Sequence, residues 1–445
     1  MREAVMHPLY VEAETGRAGR VDAEEVRRAA EGRIGPGRKV IHGIDADDLA
    51  QAGWGVVWPE GGDPQVREAL EPLVRHRQEQ AGELFRELSY RPGTGPGQFL
   101  NRLRSGFGRV NPREVPYYLL LAGDPGEIPH GFQAGLDVPH AIGRLALSGA
   151  DSYARYAERI IAVEKLPVDD APRLSLFGPV HDGDVSTQQC AGRLASGLLE
   201  SFSTRRGGQL GSVILGRSAR RDAFLKLLLD PAAPLVLSAC HGVMYPSGHP
   251  LQRELQGAML CADWPGEGAV GVDDLVEPGA LPRPSFEVAR ILFLFGCFSG
   301  GTPQLDSFDS GPRDQRRRLA GEAFTARLPQ ALLERHASAV IAHVDQTFTD
   351  AFMWENYGQI DVFRDCLAAL LDGQRVGRAM ESFADRYAHL AVELAEALDP
   401  GDAEHVSLGL RVWLAFMDAR GLIILGDPAV RLARPAAQGS SGVAA

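Results

Sequence analysis

Apolar residues in the second half of this chain come in short unbroken runs, each followed by a stretch of helical period. "RLSLFGPV" (173–180), "GQLGSVILG" (208–216), "APLVLSACHG" (233–242), "ILFLFG" (291–296) and "ASAVIAHVD" (337–345) show little alternation. They predict strands covered on both faces. Between them "VSTQQCAGRLASGLLESF" (185–202), "SARRDAFLKLLLD" (218–230) and "EAFTARLPQALLERH" (322–336) predict helices, and "QGAMLCADWPGEGAVGVDDL" (256–275) a hairpin-like insert. A helical region (362–398) and a closing apolar segment, "GLIILGDPAVRL" (421–432), follow. The first half has the same character. Strands are expected at 53–61, 115–129 and 140–147, and helices at 64–90 and at 149–166, the latter capped by Asp151 or Ser152. The breaker cluster "RPGTGPG" (91–97) reads as a loop. Strand–helix alternation throughout means an α/β fold with a mostly parallel sheet flanked by helices.

Composition divides the chain at "LPVDDAP" (166–172), which reads as a linker. Residues 1–167 form a smaller α/β subdomain, its charged, Gly-rich head of roughly 40 residues loosely ordered. The main domain covers 168–433, and the low-complexity tail 434–445 is expected to be disordered. A net charge of −12 across 445 residues excludes a nucleic-acid binder as the first expectation. The one dense basic run, Arg316 to Arg318, is too short to reverse this. No signal-peptide core and no apolar span of membrane length is present. Five cysteines at irregular spacing point to a reduced, cytoplasmic protein.

Two predicted strands end in reactive side chains. The 233–240 strand runs into His241 and Gly242, and the 291–296 strand into Cys297. In open parallel sheets ligands bind beyond the carboxyl ends of strands. Neighbouring strands would bring an imidazole next to a sulfur, which makes a thiolate nucleophile. The amides of Gly242 and Cys297 could serve a developing oxyanion, and the small residues Ser299, Gly300 and Gly301 would leave room for substrate. The competing reading is packing, since a cysteine at a strand end is commonly core. Cys240, pointing away from His241, and His343, in an apolar strand, read as core. Cys240, His241, His249 and Cys261 lack zinc spacing, and "GTGPG" lacks the rest of a phosphate loop, so neither metal nor cofactor is expected.

"LVLSACHG" and "LFLFGCFSGG" resemble the His-Gly and Cys strand ends of the caspase-like cysteine peptidases: caspases, metacaspases, gingipains, separase and the bacterial CHAT domains. "YYLLLAGDPGEIP", "VPHAIGRLAL", "ASAVIAHVD" and "LLDGQRVGRAMESF" followed by "LGDPAVRL" are similar to further segments of gingipain-type and CHAT proteins, in the same order. The resemblance covers roughly residues 115–433. It implies that His241 is the general base, Cys297 the nucleophile, and the Gly242 and Cys297 amides the oxyanion hole. It implies a protein or peptide substrate, a possible regulatory protein partner, and a role in bacterial signalling or antiviral defence.

One position departs from the pattern. Metacaspases carry an Asp two places before the nucleophile, where this chain has Phe295. Asp182 and Asp184 of "HDGD", with Asp345 and Asp350, lie where the family builds its S1 pocket, so cleavage after Arg or Lys is expected. Arg313, Arg316, Arg317 and Arg318, in the loop after Cys297, are then candidates for self-cleavage. "DWPG" (263–266) resembles a structural hairpin of relatives. A backbone carbonyl or Asp184 would orient His241. The alternatives are a catalytically weak caspase-like scaffold and a small-molecule thiol hydrolase on the same sheet.

Overall fold

A computed structural model describes residues 5–6, 21–22, 39–166, 172–204, 209–285, 287–309, 312, 314–354, 357–397 and 403–432. Ten strands form one sheet: β1 (Trp54–Pro59), β2 (Phe85–Tyr90), β3 (Tyr118–Ala122), β4 (Ala141–Leu145), β5 (Leu174–Gly178), β6 (Leu210–Leu215), β7 (Leu235–Ala239), β8 (Ile291–Phe295), β9 (Ala339–His343) and β10 (Leu422–Gly426). Their order is β2-β1-β3-β4-β10-β9-β8-β7-β5-β6. All neighbours are parallel except β9 and β10, so the sheet is mostly parallel, as expected. The strand made last of the ten thus joins the two groups.

Burial explains the unbroken apolar runs. Every residue of β3, β4, β5, β7, β8, β9 and β10 is buried, because helices cover both faces. The edge strands β2 and β6 are only partly buried. β2 lies where a helix to residue 90 was expected. The helix, α1 (Pro64–Ala81), stops at Gly82, whose φ of 55° is open to glycine at little cost. The helical region after 361 divides into Asp361–Leu371, Val376–Ala379 and Glu381–Ala397, the first ending before Gly373 at φ 79°. Helix Ala150–Val163 begins one residue before the expected caps, with Gly149 at its N-cap. Apart from the pair Val5–Met6 with Val21–Asp22, the head expected to be loose lies outside the described residues, as do the 434–445 tail and most of the linker.

Buried charges fix the strand ends. The Arg290 guanidinium donates to the carbonyls of Leu228, Asp230 and Ala233 at 2.6–2.9 Å, holding the start of β8 against the entry to β7. Arg77, fully buried, joins Asp427 and Glu164 at 2.6 Å each. Asp427 also accepts from the Trp54 indole at 3.0 Å.

Glu381 gives the fold a pH dependence. Burial pushes its carboxyl up to about 7, against the pull of the Tyr117 hydroxyl, Lys39 and Arg378. A carboxyl raised in the fold above its ordinary 4.5 holds its proton only when folded. Its contribution to stability is therefore lost as pH rises from about 4.5 to about 7. Glu381→Gln is expected to melt higher than wild type at pH 8, by up to about 3 kcal/mol, and equally at pH 4.5. Thermal melts across that range read the difference.

Candidate active site

β8 pairs with β7 in parallel, Ile291 opposite Leu235 through Phe295 opposite Ala239. Cys297 and His241 each lie two residues past the last register pair, so they leave adjacent strand ends at the same level. The backbones touch beyond the last pair. A Cβ on Gly242 would lie 2.0 Å from the Cys297 carbonyl oxygen, and one on Gly296 would lie 2.6 Å from that of Cys240. Both glycines are therefore demanded by close approach. An antiparallel bridge joins Gly242 to Met259, with Val243 N–H donating to Ala258 and Leu260 N–H to the His241 carbonyl. These bonds flank Gly242 and leave its own N–H turned away from the insert, on the side of Gly296.

The loop after Cys297 looked bare in sequence; in the structure it is packed. Ser299, Gly300 and Gly301 are buried, so their small size admits neighbouring chain rather than substrate. A Cβ on Gly300 would sit 3.2 Å from Ala342. Ser299 Oγ bonds the Leu294 carbonyl at 2.8 Å and accepts from the His343 N–H. Phe298, buried, takes a left-handed φ of 58°. That conformation is costly for a side chain of its size and is held by its N–H bond to the Asp345 carbonyl at 2.8 Å.

His241 Nε2 lies 2.5 Å from Asp184 Oδ2. Asp184 is fixed in turn as the N-cap of helix Val185–Gln189, accepting from Ser186 N–H at 2.9 Å and Thr187 N–H at 3.4 Å. Burial would raise this carboxyl, but the His241 bond and charge outweigh it and hold it below its ordinary value. Of the two roles open to Asp184 in sequence, pocket acid or partner of His241, the contact with His241 is the one observed, and an Asp directly before a helical segment is also an N-cap signal. Asp182 takes a different course, to an exposed ion pair with Arg217 at 2.8 Å. His181 is buried edge-on to Trp264, ring centroids 5.0 Å apart, and its imidazole is pushed down by burial and then by nearby His241. The "DWPG" hairpin therefore walls the His241 side.

The sulfur has its own partners. Cys297 Sγ bonds the Thr347 carbonyl at 3.5 Å and accepts from the Thr347 N–H at 3.4 Å. Burial pushes the thiol up, and the Thr347 contact offsets part of that. Thr347 Oγ1 donates to Asp418 at 2.5 Å, and Asp418 lies 3.4 Å from His343 Nε2. His343, fully buried, spans the Asp345 and Asp418 carbonyls at 3.1 and 2.8 Å, which fits its core assignment. Burial alone would depress that imidazole; Asp418 overcomes it and raises it. Thr347 acts through its backbone, and Asp418 sits inside a helix, Ala403–Gly421, just after the apolar run 412–417, where nothing in the sequence points it at the sulfur's loop.

The remaining candidates are dispersed. Asp345 is buried and its carboxyl pushed up by burial, with the Gln346 N–H on Oδ1 at 2.8 Å. Asp350 lies in the turn Thr349–Ala351. Phe295 is buried against Phe352 and Phe363, ring centroids 5.8 and 5.4 Å away. Cys240 is buried, as expected. Arg317 and Arg318 pair with residues 305 and 306, and Arg313 lies outside the described residues. Among the described residues no group of His, Cys, Asp or Glu is arranged to hold a metal ion, and no helix is long and apolar enough to cross a membrane.

No protein-family model matches the chain, and no curated protein matches it. Solved structures do. One titled "Structure of Protease" aligns over 89% of this chain and 80% of its own, with a TM-score of 0.51 and 11% identity. The complex of the RgpB pro- and mature domains of Porphyromonas gingivalis, a gingipain, aligns over 85% and 79%, with a TM-score of 0.50 and 12% identity. The fold is caspase-like. At such identity the likeness concerns strand order and helix placement, and the candidate site of this chain rests on its own geometry.

Proposed function

We propose that this chain is a cysteine endopeptidase working through Cys297 and His241. The observation that carries the reading is the in-register emergence of both residues from β8 and β7, with Gly242 packed on the Cys297 backbone. With Nε2 engaged by Asp184, Nδ1 is the nitrogen left to take the thiol proton. The sulfur then attacks the scissile carbonyl carbon. The oxyanion is received by the N–H groups of Gly242 and Cys297. Collapse expels the amine, protonated by His241, and leaves a thioester. Water, deprotonated by His241, adds to the thioester and releases the acid and the thiol.

Because burial raises the resting thiol, the reading predicts proton transfer on substrate binding rather than a standing ion pair. Asp345, buried beside the Cys297 loop, supports a basic residue at P1. With such a preference the Arg316–Arg318 run becomes a self-cleavage site once Arg317 and Arg318 unpair from residues 305 and 306. A place in bacterial signalling or antiviral defence, acting on a dedicated protein target, belongs to the same proposal.

A positional-scanning peptide library with Cys297→Ala as control tests it. Cleavage by wild type alone, with Arg or Lys favoured at P1, is the expected result. The scaffold reading draws on the Thr347 contact, which caps the thiol. Wild type that cuts no peptide while keeping slow, His241-independent alkylation by iodoacetamide would favour it.

Asp184→Asn keeps the shape but removes the charge that steadies an imidazolium. It is expected to lower kcat by about 10- to 100-fold with little change in KM, shown by kinetics on the best library peptide.

A further inference from the structure

The loop after Cys297 contains a further acid, Asp306. Asp306 is buried, yet its carboxylate holds a guanidinium: Arg317 Nε and Nη2 reach Oδ2 at 3.0 and 2.6 Å. The Arg317 side chain is 55% exposed and that of Asp306 only 7%. The carboxylate is thus a fixed floor and the guanidinium a plug at its mouth. Oδ1 is held from behind by the Phe308 N–H at 2.9 Å and Gln346 Nε2 at 3.4 Å.

This floor is tied to the nucleophile through a short chain of contacts. Gln346 precedes Thr347, whose N–H and carbonyl hold Cys297 Sγ. Ser307, next to Asp306, bonds the Asp345 side chain, and Asp306 lies close enough to help raise that carboxyl. Phe308 packs on Phe348 and Trp413, ring centroids 5.1 and 5.4 Å away, fastening the two loops together. Arg317 is also pinned by its main chain. Its N–H donates to Asp309, its carbonyl accepts from Asp306 N–H at 2.9 Å, and Leu305 bridges Arg318.

A buried carboxylate from the loop after β8 therefore holds a cation supplied by the chain itself, and a second buried carboxylate, Asp345 from the loop after β9, lies close enough to feel its charge. Two like charges in low dielectric favour a cation between or beside them, and a planar fork suits a carboxylate better than an ammonium does. We propose that Asp306, with Asp345, is a guanidinium pocket that selects an arginine side chain of the substrate, and that Arg317 fills it in the resting chain as an internal competitor. The inference rests on the peptidase reading for its substrate, though the pocket is testable without it.

The test uses the full chain as wild type, Arg317→Gln, Arg317→Lys and Asp306→Asn, with agmatine as probe. The readout is protection of Cys297 from iodoacetamide, followed by intact mass. Agmatine is expected to protect Arg317→Gln at a concentration about tenfold below that needed for wild type, with Arg317→Lys between them and Asp306→Asn unprotected. On peptides, Arg317→Gln is expected to lower KM about tenfold for Arg at P1, with kcat unchanged and a Leu peptide unaffected.

Equal protection of all four proteins would overturn the inference, as would a KM change shared by Arg and Leu peptides, which is what a merely structural ion pair would give. Arg317→Lys retains the charge and the main-chain pairing, so it reads the trend if Arg317→Gln melts early. Protection without any peptide cleavage would leave the pocket standing and remove the peptidase reading. Cleavage of Arg and Leu peptides alike, without protection, would do the reverse.

Discussion

Cys297→Ala is expected to lose peptide hydrolysis by at least about 10³-fold in kcat/KM, and His241→Ala to lose nearly as much. Because the two act as one unit, the double variant should be no worse than Cys297→Ala alone. Kinetics on one fluorogenic peptide, with a melting curve for each protein, measure this. The physical ground is that His241 and Cys297, the proposed base and nucleophile, emerge from adjacent parallel strands whose alignment is enforced twice. Arg290 aligns the strand starts through three carbonyls, and Gly242 and Gly296 permit contact at the ends. Retention of a tenth of the activity by Cys297→Ala would mean that another group attacks the substrate.

The second large effect concerns folding. Asp427→Ala is expected to cost about 3–5 kcal/mol, because it leaves the buried Arg77 without one of its two carboxylates. The Trp54 indole N–H and the Ala429 N–H lose an acceptor as well. Urea denaturation followed by circular dichroism reads the shift in midpoint. A shift below about 1 kcal/mol would show that Glu164 alone can hold Arg77. Asp427 follows β10, Arg77 belongs to α1 and Glu164 follows helix Ala150–Val163, so the loss would be felt on both sides of the β10–β4 pairing.

The central strands were legible because burial on both faces leaves an unmistakable run of apolar residues; β8 and β9 are the clearest cases. β2 was not, since Phe85, Leu88 and Tyr90 on a half-exposed edge fit a helical spacing as well as a strand. The arrival of His241 and Cys297 just past adjacent strand ends could be anticipated, because the carboxyl-edge rule acts on topology rather than on side-chain detail. The link from Asp184 to His241 could not be chosen over a pocket role from charge alone; its capping geometry decides its direction. Thr347 is invisible in principle, since any residue has an N–H and a carbonyl. Asp306 was hidden by the ordinary look of a polar loop, and only its burial against Arg317 marks it.

Synthesis order gives the placement of β10 a further meaning. It is the last of the sheet's strands to be made, and it belongs in the middle of the order. While residues 422–426 remain in the ribosomal exit tunnel, β4 and β9 each offer a naked edge, a hazard for pairing with other nascent chains. Asp418, which steadies the segment resting on the sulfur, would emerge at almost the same moment. A ribosome stalled before that point should therefore display two half-sheets that recruit chaperones and carry no finished cleft.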